Sequence, residues 1–154
     1  MRILKSNIDI FRMPNAINSA VCITTNGIVK RDGHAVMGAG IAKQANQMFN
    51  LSEKLGKLLK IHGNHTLYMG TVHAYGKFYS LFTFPTKHDW RNNSDIMLIT
   101  QSAKELVALC DKLNIHTCYL PPVGCGLGGL DWETQVKPVL EPILDDRFII
   151  VIKP

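Results

Sequence analysis

No apolar run in this chain approaches the roughly 18 residues that a membrane-spanning helix needs. The N-terminal stretch has neither a basic n-region nor an apolar h-region, so no secretory signal is expected, and a cytoplasmic location is. None of the four cysteines, Cys22, Cys110, Cys118 and Cys125, stands in a C-x-x-C pair. Their spacings do not read as a zinc site, and reduced structural thiols are expected. No G-x-x-x-x-G-K-[ST] occurs, which leaves a P-loop nucleotidase unsupported. Basic residues never run five together, so the net charge of +5 is not gathered into a dedicated nucleic-acid stripe. Linkers, repeats and low-complexity segments are also missing, and 154 residues are expected to form a single domain spanning 1–154. Neither a metal nor a cofactor is expected, and the chain is expected to be monomeric.

What remains is globular in composition: 46 % hydrophobic and 19 % charged residues. The excess of positive charge points to an anionic partner. The chemistry concentrates in Leu120 to Trp132, LPPVGCGLGGLDW, where Gly124, Gly126, Gly128 and Gly129 fall within six positions. An apolar run precedes this stretch and a helical pattern follows it. Strand, glycine loop and helix is an arrangement in which free backbone N–H groups can face a phosphate. The glycines fit G-x-G-x-x-G, but that dinucleotide fingerprint belongs to the first βα turn of its fold, with an acid about 20 residues on. Here the loop lies near the C-terminal end of the chain, so a Rossmann reading fails. Cys125, inside the loop, is either a nucleophile or a packing residue beneath it; no adjacent base supports the first.

Taken in order, Arg2 to Phe11 reads as an edge strand or hairpin, and SAVCITT (Ser19 to Thr25) as a buried strand. A long loop, Asn26 to Gly40, enters a helix from Ile41 to Phe49 through Gly38, Ala39 and Gly40. Ser52 caps a helix to Ile61. Leu67 to Ala74 and Lys77 to Phe84 are strands joined at Tyr75-Gly76. Thr86 to Asn93, TKHDWRNN, is a polar loop, after which Ser94 caps a helix to about Leu113. His116 to Leu120 is a strand. Asp131 caps a helix from Trp132 to Leu144 that Pro138 and Pro142 shorten or kink. Arg147 to Ile152 is the last strand. Alternating strands and helices imply an α/β fold with a mostly parallel or mixed sheet. The loops Asn26–Gly40, Pro85–Arg91 and Pro122–Asp131 each follow a strand and should converge on one crevice.

Three stretches together resemble the macro domain family: Asn26 with Val36 to Ala42 (VMGAGIA), Phe84 to Lys87 (FPTK) with Trp90 and Arg91, and Pro121 to Trp132. Their order and spacing resemble most the branch of terminal ADP-ribose glycohydrolases and antitoxin macro domains. The resemblance implies a three-layer α/β/α fold around a mixed, mostly parallel sheet. It also implies binding of ADP-ribose or of an ADP-ribosylated macromolecule, with nucleic acid among the candidates. By its motifs, Asn26 and Gly38, Ala39 and Gly40 would contact the distal ribose, with His34 in the same loop. Gly126, Leu127, Gly128 and Gly129 would wrap the diphosphate, and Met37, Ile41, Pro85, Thr86, Val123, Gly124 and Cys125 are further ligand-binding candidates. Asn7 and Ile8 would meet adenine, with Asn7 where many relatives carry an Asp and Asp9 as a weaker candidate. Lys87 falls at the position of a catalytic lysine, and Gly128 replaces the second catalytic acid of the glycohydrolase pattern.

Two roles are open to Lys87: nucleophile at the anomeric carbon, with its pKa lowered by burial or by Arg91, or a cation that steers the diphosphate. His88, Asp89 and more weakly His34 are candidate proton carriers; Asp131 reads as a helix cap. Trp90 is expected to stack on a ligand or, as the favoured alternative, to plug its loop into the core. Gly128 is expected to need its small size only for the phosphates, so that Gly128→Glu weakens binding and spares the fold. A hydrolase releasing ADP-ribose, a non-catalytic binder and an ADP-ribose 1″-phosphate phosphatase all fit these residues.

Overall fold

The computed structural model describes every residue except Ile17. Its centre is β2 (Ser19–Thr25), whose side chains alternate between two buried faces. Val21 and Ile23 join one hydrophobic cluster, while Ala20 and Cys22 join the other. A strand apolar on both faces needs cover on both, and helices supply it. The first cluster contains α1 (Gly40–Phe49) and α2 (Ser52–His62) through Ala42, Ala45, Leu55 and Leu59. The second contains α3 (Ile96–Lys112) through Ile99, Ala103, Leu106 and Cys110, with Leu140 of α4 (Lys137–Leu140). The result is the expected three-layer α/β/α sandwich.

Six strands form one sheet in the order β1-β6-β5-β2-β4-β3. They are β1 (Arg2–Lys5), β2, β3 (Tyr68–Ala74), β4 (Lys77–Pro85), β5 (Thr117–Leu120) and β6 (Phe148–Ile152). Only β3 runs antiparallel, paired with β4. The two are joined at Tyr75 and Gly76, both at positive φ (51° and 76°), which is the backbone a two-residue hairpin requires. The neighbours of β2 are β4 and β5, both parallel to it. Their carboxyl ends therefore lie side by side, and the three loops leaving them share one edge of the sheet.

One local expectation is narrowed and three are corrected. The N-terminal segment is an edge strand without a hairpin: after β1, Asp9 accepts from the Phe11 N–H and turns the chain into a 3-10 turn that buries Ile10 and Phe11. Ser52 does not cap α2. Asn46 Oδ1 takes the Leu51 and Ser52 N–H groups instead, both at 2.9 Å, and frees the Ser52 hydroxyl for His34 Nδ1 at 2.8 Å. Asp95, not Ser94, caps α3, accepting from the Met97 N–H at 2.9 Å. The C-terminal helix is capped by Asp131 as expected, but it opens with a wide π turn (Trp132–Val136) and its α-helical part is only Lys137–Leu140.

Cys22, Cys110 and Cys118 are buried free thiols in the second cluster, with the sulfurs of Cys22 and Cys118 3.4 Å apart. Burial raises the pKa of Cys22 and Cys118. Among the described residues no cluster of three His, Cys, Asp or Glu is placed to hold a metal ion. No described helix is long and apolar enough to cross a membrane.

Candidate functional site

The loops after β2, β4 and β5 enclose a crevice of about 1440 Å³, which extends along the sheet edge to Ser6–Ile10 and to the end of β6. The glycine loop is tied at both ends: the Leu130 N–H donates to the Gly124 carbonyl at 3.0 Å, and the Ser94 N–H to the Gly128 carbonyl at 2.9 Å. Between these ties, the N–H groups of Gly126, Leu127 and Gly128 make no hydrogen bond among the described residues. Opposite them, α1 begins at Gly40 without a side-chain cap, so its first N–H groups are also open toward the crevice. Two sets of unpaired N–H donors face one space, and both favour an anion there.

Asn26 builds the wall on the α1 side. Its Nδ2 donates to the Val36 carbonyl at 3.0 Å, and its Oδ1 accepts from the Ile28 N–H at 3.0 Å. This one amide folds the long loop back on itself and brings Met37 to Ile41 to the crevice.

Lys87 stands on a restrained segment. The Thr86 N–H donates to the Thr25 carbonyl, and the Thr86 carbonyl accepts from the Asp95 N–H at 2.8 Å. Asn64 Nδ2 holds the Lys87 carbonyl at 3.0 Å, and Gly27 N–H the His88 carbonyl at 3.2 Å. Lys87 is half-buried as a residue, and its ammonium makes long, exposed contacts with the carbonyl oxygens of Leu127, 3.3 Å, and Trp90, 3.5 Å. No carboxylate pairs with it among the described residues. Arg91 is not a free cation beside Lys87: its Nε and a terminal NH2 bind both oxygens of Asp89, at 3.0 and 2.6 Å. That fork holds the Asp89 carboxyl down at about 2, so Asp89 is no proton carrier near neutral pH. His88 turns to Asp95, with Nε2 2.9 Å from Oδ2, a contact that lowers the Asp95 pKa.

Of the residues singled out by sequence, Asn7, Ile8, Asn26, Met37 to Ile41, Thr86, Lys87, Gly124, Gly126, Leu127 and Gly128 line the crevice. Five others do not. His34 is engaged by Ser52, and the carbonyl of buried Pro85 accepts from the Ser102 hydroxyl at 2.7 Å. Val123 is in the core, Gly129 closes the far end of the loop at φ 76°, and Cys125 packs beneath it. Burial pushes the Cys125 thiol up to about 11, which speaks against a nucleophilic role. Asp9 lines the crevice, but each of its oxygens already accepts a bond, from the Phe11 N–H and from Gln44 Nε2 at 2.8 Å.

Two expectations are overturned here. Trp90 is not a plug: it is 51 % exposed at the crevice mouth, on a loop already pinned by backbone bonds. Gly128 is needed by the loop itself, since a Cβ there would run into the Gly124 backbone and the Ser94 side chain. Gly128→Glu therefore does not spare the fold.

Sequence reasoning missed Gln44, although it lies one turn into α1 on the same face as Gly40, and it missed Ser94 by giving it the cap. With Asp95 as the cap, the Ser94 hydroxyl is buried under the glycine loop with no partner. An unsatisfied buried hydroxyl costs about 1–3 kcal/mol. Ser94→Ala is expected to leave the melting temperature of the free protein unchanged or higher; a clear fall would show that the hydroxyl has a partner in solution.

Comparison with known proteins agrees with this geometry. Residues 15–138 match the family described as Macro domain. A DNA ADP-ribosyl glycohydrolase of Thermus aquaticus is 30 % identical over 115 residues, 71 % of this chain and 31 % of that protein. One from Mycobacterium tuberculosis is 35 % identical over 102 residues, 64 % of this chain and 29 % of that protein. The chain thus matches about a third of the length of these relatives. The solved macrodomain of Mycobacterium tuberculosis DarG superposes with a TM-score of 0.72 at 29 % identity, covering 99 % of this chain and 98 % of that one. Thermosipho africanus DarTG in complex with ADP-ribose superposes at 0.77 with 21 % identity, covering 99 % and 42 %. The sheet order, the crevice of backbone donors at the carboxyl ends of β2, β4 and β5, and the family match over most of its length agree: this chain belongs to the macro domain family.

Proposed function

We propose that the crevice binds ADP-ribose and that the chain removes it from a modified macromolecule, with DNA as the favoured substrate. The observation that carries this reading is the pairing of two open N–H clusters with a half-buried lysine that no carboxylate neutralises. The diphosphate fits the donors of the glycine loop and the start of α1. The distal ribose then reaches toward Lys87, whose segment is held by three backbone–backbone bonds and one from the Asn64 side chain. Similarity to DNA ADP-ribosyl glycohydrolases supports DNA as the carrier.

In the mechanism we infer, the neutral Lys87 amine attacks the anomeric carbon. A nitrogen–carbon bond forms and the bond to the macromolecule breaks. The amine proton ends on the departing group. Water then cleaves the lysine adduct, restoring the amine and releasing ADP-ribose.

Binding without turnover is the second reading. It is favoured by one observation: His88 and Asp89, the candidate proton carriers on the Lys87 loop, are engaged by Asp95 and Arg91. The deciding experiment incubates the protein with ADP-ribosylated DNA and with protein ADP-ribosylated on Glu and Asp. Released ADP-ribose from DNA is the expected result. Release from none of them, with binding intact, favours the second reading.

A further inference from the structure

We propose that Trp90 and Leu127 form a clamp at the crevice mouth that takes a flat nucleobase, the group from which the sugar is released. The proposal rests on the reading of the crevice as an ADP-ribose-releasing site and assigns the residues that meet the other side of the broken bond.

The Lys87 ammonium contacts the carbonyls of Trp90, at 3.5 Å, and Leu127, at 3.3 Å, and bridges their loops. Trp90 comes from the loop after β4 and Leu127 from the glycine loop, and both line the crevice. A group attached to the carbon that Lys87 attacks must therefore leave past one or both of them. Neither side chain is used inside the fold: Trp90 is 51 % exposed and Leu127 is 76 % exposed. What sets these two exposed apolar side chains apart from the others is that both line the crevice on the loops that Lys87 bridges.

The indole is also held. The Arg91 guanidinium sits 5.6 Å from its ring centroid and is fixed in turn by the two-point contact with Asp89. The Arg91 N–H adds a third bond to the same carboxylate at 2.9 Å. A braced, half-exposed indole offers a face on which any base can stack, and Leu127 supplies apolar contact on the neighbouring loop. A carboxylate side chain has no such face to offer.

The chain has two tryptophans, Trp90 and Trp132, and the Trp132 indole N–H is buried. Fluorescence can therefore read the clamp directly. Titration of the whole protein with an unmodified, mixed-sequence single-stranded oligonucleotide is expected to quench emission. The quench should persist in Trp132→Phe and vanish in Trp90→Phe. On ADP-ribosylated DNA, Trp90→Ala and Leu127→Ala are each expected to lower kcat/KM about tenfold, with Trp90→Phe retaining most of it. The Kd of Trp90→Ala for free ADP-ribose, which carries adenine but not the departing base, should stay within about twofold. A quench independent of Trp90, or a parallel loss of free ADP-ribose affinity, overturns the clamp. If the wild-type protein releases nothing from any substrate, the hydrolase reading fails, and the Trp90-dependent quench alone decides the clamp.

Discussion

Lys87→Arg is expected to abolish release of ADP-ribose, by at least about a hundredfold, while free ADP-ribose still binds. A guanidinium stays protonated and cannot attack carbon, although it keeps the charge and the reach to the Leu127 and Trp90 carbonyls. Lys87→Ala should be equally inactive and lose only modest affinity, since the glycine loop and the start of α1 carry the diphosphate in this account. The fold should not suffer in either variant, because Thr86, Asn64 and Gly27 hold this segment through backbone groups and none depends on the ammonium. A merely steering lysine predicts the opposite pattern. Lys87→Arg would then keep most of the activity, and Lys87→Ala would lose affinity in a way that salt weakens. Single-turnover release from ADP-ribosylated DNA at low and moderate salt separates the two.

The second large effect separates two neighbouring glycines. Gly126 lines the crevice, and a Cβ built there meets nothing within 4 Å. Gly126→Glu is expected to fold with an unchanged melting temperature and to lose ADP-ribose binding by a hundredfold or more, through bulk and like charge among the phosphate donors. Gly128→Glu is expected to lose binding and stability together. Its Cβ would lie 2.7 Å from the Gly124 carbonyl carbon, and forcing atoms into such a space costs about 1–3 kcal/mol or more. Paired calorimetry and thermal melts check both. Full affinity in a folded Gly126→Glu protein would place the diphosphate elsewhere.

The parts of this molecule legible in its sequence are those that follow from periodicity and from glycine. SAVCITT has no polar face, so it had to be a strand covered on both sides, and its bounds match β2. Tyr75-Gly76 marked its hairpin, and the loops after β2, β4 and β5 marked the crevice because parallel neighbours end together. What failed were choices between adjacent polar residues. Ser94 and Asp95 are both good caps; Asp95 takes the cap and also meets His88, a contact seven residues apart that no local rule weighs. Ser52 lost its capping role to Asn46, six residues upstream. Trp90 read as a plug because large aromatics usually are buried; its exposure follows from a loop whose backbone bonds were already complete without it. Gly128 misled for a related reason. A sequence shows that glycine is present, but only the fold shows whether the missing Cβ leaves room for a ligand or for the loop itself.

The central claim is that the crevice between these loops takes ADP-ribose, and isothermal calorimetry of the free ligand against the unmodified chain tests it most directly. The account predicts a saturable one-to-one heat, reduced at least about a hundredfold in affinity by Gly126→Glu and little changed by Lys87→Arg. An absence of heat and of any thermal shift at millimolar ADP-ribose, from a folded wild-type protein, would contradict it.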